Sequence, residues 1–302
     1  MLTINTIADF YNLSEHHRVS ILKAIDTKAR LIDWLDTKAR EPTRWHKHSF
    51  KGKCRECDGM GSYIHTPRDS RDIHPSQITK CIKKLWFDCS VSDQADTDGD
   101  KVPFYVYSEE YIDPYLQMTF DQGHGIHDQY QGYGLKGAWG KGYDIEVEIN
   151  PDAGDLPLAE VYWIRGSVDA LLAPYIINVP GIGEVAIRVI HEYKSINSNG
   201  YTQLKSPKID HKWQATIYSR VFDVPVVVYL YVNKDNNQLA DFPVPFDFEL
   251  WRTIEQKIEK VQYYVDGRQV PPWEETSAVL KPKDCEKCPY LRICNPPQDI
   301  RR

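Results

Sequence analysis

The sequence predicts an α/β fold with a mixed central sheet flanked by helices, in the order α-β-β-β-α-β. Apolar and polar residues alternate over 143–149 and over 184–196, as they do in half-buried strands. A nearly unbroken β-branched and aromatic run at 224–232 is typical of a strand buried on both faces. Apolar residues recur with helical spacing over 247–266, which predicts an amphipathic helix.

The remaining elements follow from the same periodicities. An apolar stripe with helical spacing predicts helix within the first forty residues. We predict further helices at 108–131 and 210–222, and a further strand at 161–172. The chain divides into a helical and Cys/His-rich region, 1–74, and a domain that covers 75–302.

Composition restricts the classes of function. A net charge of −6 over 302 residues does not suggest a strongly basic nucleic-acid-binding protein, although a local basic groove remains compatible with it. The sequence has no apolar run of eighteen residues, so we expect no membrane association. It also opens without a secretory segment, so we expect a cytoplasmic protein. In a reducing compartment, seven cysteines favour metal binding over disulfides.

Three charged residues in two predicted strands carry the chemistry. Asp169 stands in an apolar stretch, where a carboxylate costs several kcal/mol unless it is paired or bound to metal. Glu192 and Lys194 lie two apart and therefore share one strand face. If the strands pair, two carboxylates would meet a lysine and attract Mg²⁺ or Mn²⁺, which suits phosphodiester hydrolysis. The alternative is a salt-bridged sheet face.

Four cysteines have the layout of a metal clamp between distant parts of the chain. Cys285, Cys288 and Cys294 form a compact loop, and Cys81 lies about two hundred residues upstream. A thiolate site needs a fourth ligand beyond the loop, and Cys81 can supply it. Such a cross-link would stabilise the fold by limiting the entropy of the unfolded chain. An iron–sulfur cluster and Zn²⁺ are both compatible with four thiolates.

Six segments, taken in order, resemble the PD-(D/E)XK nuclease superfamily. More narrowly they resemble RecB-like exonucleases with an iron–sulfur cluster, among them the CRISPR-associated exonucleases and the AddB nuclease domain. The segments are Pro75 to Cys81, Gly123-x-x-x-His127, Gly166-Ser167-Val168-Asp169, Glu192-Tyr193-Lys194, Gln214-x-x-x-Tyr218 and Cys285-x-x-Cys288-Pro289-x-x-x-x-Cys294.

The resemblance implies a role for each residue. His127, Asp169, Glu192 and the main-chain carbonyl of Tyr193 would hold the catalytic Mg²⁺ or Mn²⁺. Lys194 would assist the attacking water. The resemblance further implies two supporting sets: Gln214 and Tyr218, to position Lys194 or the DNA, and Cys81, Cys285, Cys288 and Cys294, to hold a [4Fe–4S] cluster.

Two features depart from the resemblance. Lys83 and Lys84 follow the first cysteine where the family often has Pro-Arg-Arg, and the first 74 residues have no matching counterpart. Within those residues, Cys54 and Cys57 form a C-x-x-C followed by glycines. This pair is either half of a small zinc site or an exposed pair without metal.

The sequence therefore predicts a metal-dependent deoxyribonuclease, an exonuclease acting on single strands or DNA ends in recombination, repair or phage DNA processing. DNA is the expected substrate, and a helicase or recombination protein is the expected kind of partner. Two alternatives stay open. One is a structure-specific endonuclease on the same core, and the other is a non-catalytic DNA-binding scaffold that keeps the cluster.

Overall fold

The computed structural model describes residues 1–38, 52–53, 60–61, 72–90, 114–140 and 142–273, together with Cys285, Cys288, Tyr290 and Cys294. The helices are α1 (Ile7–Tyr11), α2 (Glu15–Ala24), α3 (Thr27–Lys38), α4 (Ile82–Ser90), α5 (Pro114–Leu135), α6 (Pro157–Val161), α7 (Ser198–Gln203), α8 (Ile209–Phe222) and α9 (Phe248–Asp266). The strands are β1 (Leu2–Ile4), β2 (Gly52–Lys53), β3 (Met60–Gly61), β4 (Tyr143–Ile149), β5 (Gly166–Val179), β6 (Gly183–Ile196), β7 (Val226–Asn233) and β8 (Leu239–Pro245).

The main sheet is mixed and has the strand order β4-β5-β6-β7-β8. Neighbouring strands are antiparallel except β6 and β7, which run parallel. Strand β6 is central: its first half pairs in parallel with β1, and its second half pairs with β7. β2 and β3 form a separate two-stranded sheet, as far as the described residues show. The predicted α/β class, with a mixed central sheet flanked by helices, is confirmed.

Each face of the sheet is covered by its own apolar layer. On one face the layer takes buried residues mainly from three helices: Ile82 and Leu85 of α4, Ile217 and Val221 of α8, and Ile254, Ile258 and Val261 of α9. The other face is covered by residues that include Phe10, Ile21 and Leu31 from the N-terminal helices and Ile126, Tyr130 and Tyr133 from α5. β7 is buried along its whole length, as its β-branched and aromatic run predicts.

The boundaries of five elements agree with the predictions to within two residues: β4, β6, β7, α8 and α9. The predicted strand at 161–172 is different. Its first residue, Val161, ends α6, which starts at Pro157, and the strand itself runs over Gly166–Val179. The predicted helix at 108–131 appears as Pro114–Leu135 within the described residues.

Several short elements have no counterpart in the prediction, and the reasons are physical. β8 carries Pro243 and Pro245, and proline lacks the N–H that a central strand would donate, so it reads as a loop. β1 has three residues and is too short to show a period.

The close approach of α5 to β4 depends on Gly134, where an added Cβ would lie 2.1 Å from the Tyr143 ring.

The N-terminal helices lie on the same sheet as the rest of the chain. The buried indole of Trp139 donates its Nε1–H to the carbonyl oxygen of Thr27 at 3.1 Å. β1 adds Leu2–Ile4 to the edge of β6, and Thr6 caps α1. Residues 1–38 therefore contribute to the core of the sheet, although the sequence assigns them to a separate region. Within the described residues, every helix is too short or too polar to cross a bilayer.

Replacing Ile258 by Ala should lower the free energy of unfolding by about 2–5 kcal/mol, because the side chain is fully buried between α9 and the sheet. The matched control is Ile209→Ala, since Ile209 is 63% exposed and should contribute less than about 0.5 kcal/mol. Urea unfolding of both variants measures the difference. Equal losses would contradict the assignment of this face as core.

Candidate active site

The candidate site lies where the central sheet forks. β5 pairs with β6 as far as Ala170 and His191, and the pairing ends there. Beyond that point β5 continues to pair with β4, and β6 continues to pair with β7 as far as Ile196. Asp169 and Glu192 are the next residues on the two parting strands. Across the fork, the backbone amides of Asp169 and Tyr193 are met by side-chain carboxylates in place of ladder partners.

Asp169 and Glu192 bridge the fork with reciprocal hydrogen bonds. The Asp169 N–H donates to Glu192 Oε1 at 3.2 Å, and the Tyr193 N–H donates to Asp169 Oδ2 at 2.7 Å. Each carboxylate thus satisfies a backbone donor of the opposite strand. The two acids are held together because the fold needs acceptors at this position.

Two further side chains complete the cluster. His127, from α5, lies with Nδ1 3.2 Å from Asp169 Oδ1. Lys194 donates from Nζ to Glu192 Oε2 at 2.8 Å. The structure thus brings together His127, Asp169, Glu192 and Lys194. Tyr193 points to the opposite face, as strand alternation requires, and its hydroxyl hydrogen-bonds with that of Tyr143.

Different partners separate the pKa values of the two carboxyl groups. Burial, together with the negative charge of Asp169, raises the pKa of Glu192 to about 7. Burial also acts to raise the pKa of Asp169, but the hydrogen bond from His127 and the positive charge of Lys194 outweigh it and lower this pKa. The pKa of Lys194 is raised, because the attraction of Glu192 and Asp169 exceeds the effect of burial, so its ammonium group stays charged.

Gln214 and Tyr218 lie next to the fork on α8. The Gln214 side-chain amide donates to the Tyr218 hydroxyl at 2.8 Å, and that hydroxyl donates to the carbonyl oxygen of Ser167 at 2.9 Å. Both side chains are buried. They hold the start of β5, two residues before Asp169, and the hydrogen bonds of the described residues do not join them to Lys194. Their role toward Lys194 or DNA stays a prediction.

The sequence interpretation missed Gln131 and Glu146. Gln131 lies one helical turn after His127, and its side-chain Nε2 donates both to Glu146 Oε1 and to the carbonyl oxygen of Asp169. Ser167 Oγ lies 3.5 Å from Glu146 Oε2. The i, i+4 spacing of His127 and Gln131 is the one signal in the sequence that could have found this pair.

The donor set at the fork suits a hard divalent cation. An imidazole and two carboxylates are ligands that Mg²⁺ and Mn²⁺ accept. The 3.2 Å between His127 Nδ1 and Asp169 Oδ1 is near the separation of about 3 Å between neighbouring ligands of an octahedral ion with bonds of about 2.1 Å.

The two oxygens of the Glu192 carboxylate already have hydrogen-bond partners. Glu192 directs its two oxygens to the Asp169 N–H and to Lys194. Within the described ranges, accordingly, no three His, Cys, Asp or Glu side chains are arranged to hold a metal ion. The chemical types of the donors fit the ion.

The four cysteines of the predicted cluster lie near one another. Burial raises the pKa of Cys81, and the nearby Cys288 adds to this. Burial raises the pKa of Cys294 to about 11; Lys83 opposes this, while Cys81, Cys288 and Cys285 add to it. The other three cysteines therefore lie close to Cys294, which fits a shared site, although the described His, Cys, Asp and Glu side chains form no group arranged to hold a metal ion.

The cysteine loop is anchored on α4 through an aromatic contact. The ring of Tyr290 stacks on Phe87 with centroids 4.8 Å apart, and its hydroxyl donates to Asp88 Oδ1 at 2.9 Å. Cys54 and Cys57, for which the sequence leaves a zinc site open, lie outside the described residues.

One segment joins Cys81 to the strand that carries Asp169. Ile73 forms a parallel bridge with Ile164, and the Arg165 side chain pairs with Asp72. Pro75 packs against Gly166, where an added Cβ would lie 3.4 Å from Pro75 Cδ. The chain that leads to the first cysteine is thus fixed against the start of β5.

No family model and no curated protein sequence matches the chain. Solved structures similar to it include SSO0001, with 15% identity, coverage of 89% of this chain and 95% of that one, and a TM-score of 0.40. Others are the alkaline exonuclease LHK-Exo from Laribacter hongkongensis (12% identity, 66% and 90% coverage, TM-score 0.38) and its complex with dAMP (11%, 66% and 90%, 0.41). All three TM-scores are below 0.5.

In the metal-free protein, stability should fall as the pH rises from about 4.5 to about 7, and Glu192→Gln should remove much of that fall. Glu192 keeps its proton in the native state up to a pKa of about 7, while the unfolded chain releases it near 4.5. The unfolded state then binds fewer protons, so the free energy of unfolding decreases through this window. Two to three pKa units correspond to roughly 3 kcal/mol.

Thermal unfolding in EDTA across this pH range measures the effect. Glu184→Gln is the matched control, because Glu184 lies on the same strand but is exposed. If the two variants follow the same pH profile, the buried environment assigned to Glu192 is wrong.

Proposed function

We propose that this protein is a divalent-metal-dependent nuclease that hydrolyses phosphodiester bonds of DNA from an end. The observation that carries the proposal is the meeting of His127, Asp169, Glu192 and Lys194 at the fork. Two buried acids that face an imidazole and an ammonium group are costly to keep in a fold, and such clusters concentrate at functional sites.

In this proposal His127, Asp169 and Glu192 hold Mg²⁺ or Mn²⁺, with the main-chain carbonyl of Tyr193 as a further ligand. The bound ion supplies Lewis-acid polarisation of the phosphate and lowers the pKa of its water. Lys194, with a side chain 20% exposed, is accessible to a substrate while the Glu192 side chain is 2% exposed. Its ammonium group orients the attacking water or neutralises the negative charge that grows on the phosphate.

The order of the sequence motifs supports DNA as substrate and an exonuclease as the type of enzyme, because both follow from the resemblance to RecB-like nucleases. The same resemblance favours a helicase or recombination protein as partner. Tyr229 and His211 add a stacked aromatic pair near Lys194, with ring centroids 5.3 Å apart. The Tyr229 ring is fully buried and lies 5.7 Å from Lys194 Nζ, so it supports the ammonium group from beneath.

We also propose that Cys81, Cys285, Cys288 and Cys294 hold a [4Fe–4S] cluster with a structural role. Their mutual electrostatic interaction supports the proposal, as does the anchoring of the loop by Tyr290. The cluster would join the C-terminal loop to α4 and, through residues 72–81, to the start of β5.

Lys194→Ala should lower the rate of DNA hydrolysis in Mg²⁺ or Mn²⁺ by at least about 100-fold, because it removes the charge that stabilises the transition state. Lys23→Ala, a change at an exposed lysine of α2, is the control and should cut at the wild-type rate. Release of nucleotides from labelled linear DNA measures the rate, and circular dichroism verifies the fold. A Lys194→Ala variant that cuts as well as wild type would refute the assignment.

The DNA substrate separates the alternatives. An exonuclease degrades linear single strands and leaves circular single-stranded DNA intact, whereas an endonuclease cuts both. A non-catalytic scaffold shifts the mobility of labelled DNA without shortening it. Degradation of the circle would replace the exonuclease proposal by the endonuclease alternative.

Anaerobically purified protein should be brown, with a broad absorbance near roughly 400 nm that Cys288→Ser weakens or removes. Cys89→Ala is the matched control, because Cys89 is a buried cysteine of α4 outside the proposed set, and the variant should keep the colour. A colourless protein that contains zinc would instead support the zinc alternative at the four thiolates.

A further inference from the structure

Asp169 is held in place by side chains at both of its main-chain polar groups. Its N–H donates to Glu192 Oε1, and its carbonyl oxygen accepts from Gln131 Nε2 at 3.0 Å. In the pairing of β4 with β5, Ile145 pairs with Ala170 and Val147 pairs with Val168. Glu146 and Asp169, which lie between these two pairs, are not paired. The main chain at this position therefore depends on side chains from outside the ladder.

The gap in the pairing coincides with an unusual backbone conformation. Glu146 has a φ of 49°, in the left-handed region that non-glycine residues seldom adopt. Such conformations cost about 1–3 kcal/mol and persist where surrounding contacts hold them. Here the contacts are made by the Glu146 carboxylate, which accepts from the Gln131 amide and faces Ser167 Oγ.

The Gln131 amide is buried, with 5% of the residue exposed, and its orientation is determined by its two partners. Glu146 Oε1 and the Asp169 carbonyl oxygen are both acceptors, so the NH₂ group must face them. In the reversed orientation the amide oxygen would oppose both acceptors. Glu146 thus selects the amide orientation that holds the main chain of Asp169.

Gln131 and His127 act on the same residue from the same helix face. His127 contacts the Asp169 carboxylate at Oδ1, and Gln131, one turn later, contacts its main-chain oxygen. A carboxylate that must meet an ion within a few tenths of an ångström gains precision when its main chain is fixed as well as its side chain.

We propose that Gln131 is a positioning residue for Asp169, and that Glu146 acts through Gln131 by fixing its amide orientation. The proposal rests on the proposed function, since it concerns the site at which Asp169 would bind Mg²⁺ or Mn²⁺. Gln131 itself touches neither the ion nor the substrate.

Titration of the full chain with Mn²⁺ alone, after dialysis against EDTA and then against buffer, tests the proposal by calorimetry. Gln131→Met keeps the approximate size but removes the donor, and should weaken Mn²⁺ binding by roughly tenfold or more, as loss of outer contacts at metal sites does. Gln129→Met is the matched control, because Gln129 is an exposed glutamine of the same helix, and it should bind Mn²⁺ as wild type does.

Variants of Glu146 test whether it acts through Gln131. Glu146→Leu should weaken Mn²⁺ binding in the wild-type background and have no further effect in the Gln131→Met background. Glu146→Gln should bind more tightly than Glu146→Leu, because its amide oxygen can still accept from Gln131. Since Glu146 is exposed, these variants carry the test if Gln131→Met fails to fold.

Kinetics distinguish positioning from a general loss of structure. At saturating DNA, Gln131→Met should lower kcat while KM for DNA changes by less than about twofold, because substrate contacts are intact. Wild-type Mn²⁺ affinity in folded Gln131→Met and in Glu146→Leu would overturn this inference and leave the proposed function standing. Folded wild-type protein that binds no Mn²⁺ would overturn both.

Discussion

The site depends on the parting of two strands in the middle of a sheet. β5 and β6 separate beyond the Ala170–His191 pair, on the side of Asp169 and Glu192. Backbone N–H groups there lose their ladder partners at a place that is shielded from water. Buried backbone donors are almost always satisfied, so acceptors must be supplied from side chains. Asp169 and Glu192 supply them, each for the strand of the other. The two acids that the proposed chemistry uses are therefore also structural parts of the fork.

This dual role explains the charge balance of the site. Two carboxylates at such close range would repel each other strongly, and burial increases the cost. Lys194 and His127 each offset part of this cost. The repulsion and burial that remain favour the protonated form of Glu192 and raise its pKa to about 7. A divalent cation bound at the two carboxylates would favour the ionised form of Glu192 and displace this proton.

Rigid elements hold the fork from three sides. α5 reaches Asp169 through His127 and Gln131, and α8 reaches the start of β5 through Tyr218. The segment 72–81 supports the strand from outside, through the Ile73–Ile164 bridge and the pairing of Arg165 with Asp72. Because that segment ends at Cys81, it connects the first of the four cysteines to the start of β5.

The sequence by itself determined the fold class, the main helices and strands, and the residues that stand out chemically. It could do so because apolar periodicity depends on local geometry: β6 and α9 display their buried faces in the order of their residues. It also singled out Asp169, because a charge within an apolar run needs a partner. Only the tertiary structure decided which partners these are. The fork between β5 and β6, the Gln131–Glu146 contact and the docking of the N-terminal helices on the sheet join residues far apart in the chain. Such contacts depend on where strands diverge and helices pack, which no local pattern records.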